Sequence, residues 1–168
     1  MSQIDGLSES SKYYMGAILE LQNAHKVARS KDIAEKLEIK RGSVTNMLKN
    51  LAKKGMINYE PYGFVTLSCE GEAIALEIKR RQTIIKEFLI GVLRVEDKKA
   101  EIAARHIEHG MDGLSVDRLL QFISFIDRCP RTGPEWIRSF VEFCAARRPG
   151  QQRCRSCMEG CLRKISPE

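Results

Sequence analysis

Apolar residues recur at helical spacing along most of the chain. Val44, Met47, Leu48 and Leu51 fall at i, i+3, i+4 and i+7 and share one helix face. The opposite face of that helix carries Arg41, Ser43, Thr45, Asn46, Lys49, Asn50 and Lys53, and no acidic residue stands between Lys40 and Lys54. Just before it, Ile33, Ala34 and Leu37 make a shorter helix with Ser30 as its expected N-cap. Gly55 is placed to stop the second helix in a left-handed conformation, and Gly42 leaves room for a backbone to come close. The pair predicts a helix-turn-helix over residues 30–55. The alternative is a solvated charged helix on an ordinary helical domain. It is disfavoured because the next segment fits a wing: Ile57 and Tyr59, then Phe64, Val65 and Leu67, flank the turn Glu60-Pro61-Tyr62-Gly63.

The remaining pattern is helical. Tyr14, Ala17, Ile18 and Leu21 give a first helix over about 8–25. A long helix is expected from Ser68 to about Leu93, with apolar positions Ile74, Ile78, Ile85, Phe88, Leu89 and Val92. After a break at 94–97, a helix runs from Asp97 to His109 and ends at Gly110. The next, capped by Ser115, has Val116, Leu119, Leu120, Phe122, Ile123, Phe125 and Ile126 on more than one face. A helix that apolar needs cover on two sides, and a second copy of the chain is the natural cover. A last helix spans Pro134 to Arg147. The fold class is therefore mainly α with a small β-hairpin wing. Residues 1–70 form a winged helix-turn-helix domain, 71–147 a helical dimerisation and sensing domain, and 148–168 a basic Cys-rich tail.

Charge sharpens this picture. The formal net charge is +6, of which +4 lies on residues 145–168, with six basic and two acidic groups. Residues 26–54 hold nine basic and three acidic groups. Positive charge on the reading head and on the tail favours an acidic polymer as partner, double-stranded DNA. Arg41, Lys49 and Lys53 suit phosphates, Ser43, Thr45 and Asn46 suit base edges, and Tyr62 at the wing tip suits the backbone. No run reaches the ~20 apolar residues of a membrane span, and the N-terminus has no apolar signal segment, so a cytoplasmic protein without a membrane role is expected.

Six cysteines are present, five of them in the last 40 residues. The run Cys144-x9-Cys154-x2-Cys157-x3-Cys161, with Cys129 as an alternate, sits among arginines that favour thiolate. Four thiolates suit tetrahedral Zn(II) or an iron–sulfur cluster, and the tight C-x2-C-x3-C spacing tilts the choice to the cluster. Free thiols on a tail are the alternative. Cys69, at a helix start, reads as a packing residue.

Several stretches together carry a family likeness: YMGAILEL at 14–21, SKDIAEKL at 30–37, SVTNMLKNL at 43–51, GMI at 55–57, LSCEG at 67–71 and IEH at 107–109. In these, and in the order of elements over about 8–128, the chain resembles the diphtheria-toxin-repressor and manganese-transport-regulator family. The resemblance implies a dimeric, metal-dependent winged-helix transcription regulator. It implies metal ligands near 13, 16, 81–82, 101, 105 and 108–109. At those positions the chain has Tyr13, Gly16, Arg81-Gln82, Glu101 and Arg105, so only Glu108 and His109 match, with His106 a turn earlier. Two or three ligands do not make a tight site, and tight Mn(II) or Fe(II) binding there is not expected. The three residues read equally well as surface or interface polar groups. A sensor moved to the tail cysteines follows. The competing function is an iron-transport accessory or scaffold whose winged helix binds protein, which would need exposed apolar residues on the second helix of the pair. An enzyme, with a small-molecule substrate, has no support in the motifs.

Overall fold

The computed structural model describes residues 3–25, 27–60, 63–128 and 134–145. After a short 3-10 turn at Gln3–Gly6, the chain forms α1 (Glu9–His25), α2 (Ser30–Lys36) and α3 (Arg41–Lys53). Next come β1 (Ile57–Tyr59), β2 (Val65–Leu67), α4 (Cys69–Gly91), α5 (Asp97–Gly110), α6 (Gly113–Arg128) and α7 (Pro134–Ala145). The two strands pair antiparallel with Ile57 opposite Leu67 and Tyr59 opposite Val65. The winged helix-turn-helix and the helical second half are both present, as the hydrophobic pattern predicts. The 3-10 turn was not predicted; it brings Ile4 and Leu7 into the core.

Two apolar clusters share α4 as a spine. The first unites α1, α2, α3 and the hairpin with Ile74, Ala75 and Ile78 of the first half of α4. The second joins Ile85 and Leu89, further along α4, to Ala100 and Ala104 of α5 and Ile123 of α6. Burial of this apolar area, at ~25 cal/mol per Å2, is what holds each half together. Between the two clusters α4 carries Arg81, buried, with its Nε donating to Glu77 at 2.8 Å and a terminal nitrogen 3.4 Å from Asp117 of α6.

Helix ends differ from expectation in two places. Ser30 is the first residue of α2 rather than its cap; Arg29 holds the cap position and offers no side-chain bond. Ser115 is not the cap of α6. Asp112 caps it, its Oδ1 accepting from the Ser115 backbone N–H at 3.1 Å and its Oδ2 from the Ser115 hydroxyl at 2.6 Å. A carboxylate on the first-turn N–H groups outcompetes a serine three residues inside. By contrast α4 starts as predicted: Ser68 Oγ accepts from Gly71 N–H at 3.0 Å and donates to the Gly55 carbonyl at 2.6 Å. Gly55 stops α3 with φ of 71°. Cys69 is exposed, so it is not a packing residue.

The wing is tied down by contacts outside its own hairpin. Ala28 exchanges two backbone hydrogen bonds with Val65, at 3.1 and 2.8 Å. Gln22 of α1 accepts from Leu67 N–H at 2.8 Å. The Arg29 guanidinium lies 5.1 Å from the centre of the exposed Phe64 ring.

Candidate nucleic-acid interface and interdomain ion pair

α3 buries Val44, Leu48 and Leu51 against the first core and half-buries Met47. Its outer face leaves Arg41, Gly42, Ser43, Asn46, Lys49, Asn50 and Lys53 exposed, with Thr45 half-buried. The Thr45 hydroxyl donates to the Arg41 carbonyl at 3.4 Å, so that proton is engaged within the helix and the oxygen is left as an acceptor. Gly42 has open space where a side chain would be. The α3 residues singled out from the sequence thus lie together on one helix. Tyr62 lies outside the described residues.

The second cluster of chemistry lies where α1 meets α5. Lys12 Nζ donates to Glu108 Oε1 at 2.9 Å, the two side chains being 8% and 1% exposed. Removing one partner of so buried a pair strands the other charge, at a cost of about 3–5 kcal/mol. Around the pair is a cavity of about 310 Å3 lined by Tyr13, Gln82, Arg105, His106 and His109, among others. The Arg105 guanidinium lies 5.4 Å from the centre of the Tyr13 ring. His109 Nε2 is 4.0 Å from Glu9 Oε2, and His106 is exposed. Glu108 Oε2 and His109 Nδ1 are buried with no hydrogen-bond partner. Gly16 contributes no side chain and faces open space. Glu101 is turned to Lys86 of α4, 3.3 Å away, which also holds Asp97 at 3.1 Å. Nearby, burial pulls the Glu20 carboxyl upward, but ion pairs with Lys36 and Lys79 outweigh it and hold it below the usual range.

As a metal centre the arrangement does not fit. Among the described residues no three His, Cys, Asp or Glu side chains are grouped to hold an ion. The carboxylate best placed to ligate already has a cation on it, and the Arg105 guanidinium lines the same cavity. Lys12 was missed in the sequence because a single lysine beside an apolar stripe reads as solvated. Of the tail thiols, Cys144 is exposed on α7; Cys129, Cys154, Cys157 and Cys161 lie outside the described residues.

Known proteins agree with this layout. Residues 6–65 match the family described as iron dependent repressor, N-terminal DNA binding domain, and residues 68–137 the iron dependent repressor, metal binding and dimerisation domain. A helix-turn-helix transcriptional regulator of Methanocaldococcus jannaschii is 33% identical over 118 residues, covering 70% of this chain and 94% of that protein. The transcriptional regulator MntR of Escherichia coli O157:H7 is 34% identical over 109 residues, covering 65% and 70%. Among solved structures, IdeR of T. acidophilum superposes with a TM-score of 0.58 at 26% identity, covering 73% of this chain and 57% of that one. The metal-dependent transcriptional regulator MtsR gives a TM-score of 0.62 at 26% identity with the same coverage. The chain therefore spans little more than half the length of these two solved proteins. No helix of the described residues is long and apolar enough to cross a membrane. The reading helix, the wing, the helical second half and these relatives lead to one assignment: the chain belongs to the iron-dependent repressor family of DNA-binding transcription regulators, which are not enzymes.

Proposed function

We propose that this chain is a homodimeric, sequence-specific DNA-binding repressor that lays α3 in the major groove. The observation that carries the reading is the outer face of α3: its exposed side chains are cationic, amide or hydroxyl groups, and none is apolar. Asn46 and Ser43 are the base-reading groups, with Thr45 as an acceptor. Arg41, Lys49 and Lys53 hold phosphates, and Tyr62 meets the backbone from the wing. A protein-binding scaffold would need an apolar stripe on this face, which α3 lacks.

Dimerisation is assigned to residues 71–147. α6 buries Val116, Ile123 and Ile126 within the chain but leaves Phe122 and Phe125 53% and 57% exposed. Two phenylalanines one turn apart on an uncovered face suit a two-fold interface. The control signal is assigned to the C-terminal cysteines: Cys144, Cys154, Cys157 and Cys161, with Cys129 as alternate, are a thiolate set for a transition metal. Its finer form is an iron–sulfur cluster rather than zinc; iron, sulfide and zinc analysis of anaerobically purified protein decides between them.

Selection from a random duplex pool tests the central reading. The expected product is an inverted repeat whose half-sites are one or two helical turns apart, as two-fold symmetry requires. Recovery of unrelated duplexes, or of none, contradicts it.

A further inference from the structure

Among the described residues the buried charged side chains are Lys12, Arg81 and Glu108. Arg81 is matched within the helical half, by Glu77 and Asp117. Lys12 and Glu108 are matched only to each other among the ion pairs of the described residues, and they stand 96 residues apart. Lys12 is on α1, whose apolar face belongs to the DNA-binding core; Glu108 is on α5, which belongs to the second core. The pair crosses the seam between the halves that match the DNA-binding and the metal-binding domains.

A carboxylate this buried, if ionised, needs a cation. That cation can come from solution, as a metal ion, or from the chain itself. Here the chain supplies it, tethered at 2.9 Å. A metal ion entering at Glu108 would have to displace the ammonium and leave it buried without a partner, in a cavity that Arg105 also lines. Glu9, His106 and His109 line the same cavity as Glu108, yet no three His, Cys, Asp or Glu side chains of the described residues are grouped to hold an ion. Glu108 Oε2 and His109 Nδ1 are buried without partners. Gly16 offers no ligand, the Tyr13 ring faces Arg105, and Glu101 is held by Lys86.

We infer that the Lys12 ammonium is a built-in cation that fixes the DNA-binding half on the helical half, so that DNA binding by this chain does not wait for a divalent metal at Glu108 and His109. The inference rests on the DNA-binding reading for its consequence, and on the ion pair alone for its cause. Lys12 acts as a positioning residue, since α3 rather than Lys12 meets DNA.

The test uses the full chain, stripped with chelator, and Mn(II) as the probe. Mn(II) prefers oxygen and nitrogen donors, so the tail thiols do not mask the result. Without DNA, the paramagnetic resonance signal of free Mn(II) should be undiminished by equimolar protein at micromolar concentration. Loss of that signal with wild type, restored by Glu108→Gln, overturns the inference. With a selected duplex, affinity should change less than about twofold between chelator and excess Mn(II), whereas metal coupling of ordinary size gives about 5–150-fold. Lys12→Met, which keeps the length and removes the charge, should weaken binding by about tenfold or more, and Lys12→Arg should retain it. A folded Lys12→Met that binds as wild type also overturns the inference. Should Lys12→Met not fold, the two wild-type Mn(II) measurements still decide. Should wild type bind no duplex under any condition, the DNA-binding reading fails, while the resonance measurement still tests the ion pair.

Discussion

A methyl group at Gly71 would have nowhere to go. A side-chain carbon built there overlaps the Met56 carbonyl, which already accepts from Ser68 N–H at 3.0 Å. The obstruction is backbone, so α4 would have to move off the start of the wing. Gly71→Ala should cost about 2–3 kcal/mol in urea unfolding. Ser68→Ala should cost about 1 kcal/mol, since it removes both the cap on Gly71 N–H and the donor to Gly55. From the sequence Gly71 is visible only as a glycine inside a helical pattern. Its partner, fifteen positions back, becomes evident only when α4 is docked on β1. Lys12 is hidden for the same reason: its burial depends on α1 and α5 both packing on α4, which no local periodicity encodes. Glu38, between α2 and α3, has φ of 55°, a left-handed conformation that its residue type does not announce. Glu38→Gly should raise stability by up to about 1 kcal/mol in the same assay.

At the scale of elements, the 3.6-residue apolar period was enough to find all seven α-helices of the described residues, because each carries an apolar stripe. Helix ends were less legible. Ser30 and Ser115 are good capping residues by type, yet Arg29 and Asp112 occupy the cap positions, because chain direction at a turn is decided by packing. Ion pairs along α4 give a pH-dependent contribution. Glu77 is held at about 2 rather than 4.5, chiefly by the hydrogen bond from Arg80, against the upward pull of burial, with Arg81 adding to the lowering. A carboxylate more acidic in the folded state adds stability that is complete above pH ~4.5 and is lost as pH falls from there toward 2. Linkage alone would give ~3 kcal/mol; a side chain a third exposed is screened, so about 1 kcal/mol is expected. Urea unfolding at pH 7 and pH 3 should differ by roughly half of that, ~0.6 kcal/mol, more in wild type than in Glu77→Gln, because the loss is still incomplete at pH 3. Equal differences would mean that Arg80 and Arg81 do not act on it.

On the scale of the whole molecule, two cores share α4 and are pinned across their seam by Lys12 and Glu108. The order of elements and the kinship were legible because several short stretches agreed at once. The uncovered face of α6 was foreseen from apolar residues on too many sides, and one chain buries only one of those sides. Phe122→Glu or Phe125→Glu should give monomers in sedimentation, since a charge cannot be buried unpaired in an interface; a dimer of unchanged stability would exclude this face. The most direct test of the account is a fluorescence-anisotropy titration of a selected duplex with Asn46→Ala and Lys49→Ala, across a range of salt. Asn46→Ala should cost ~1–3 kcal/mol and lose discrimination at one base pair in each half-site. Lys49→Ala should weaken binding to all duplexes alike and flatten the salt dependence. If both variants bind as wild type at every salt concentration, α3 is not the reading head and the account fails.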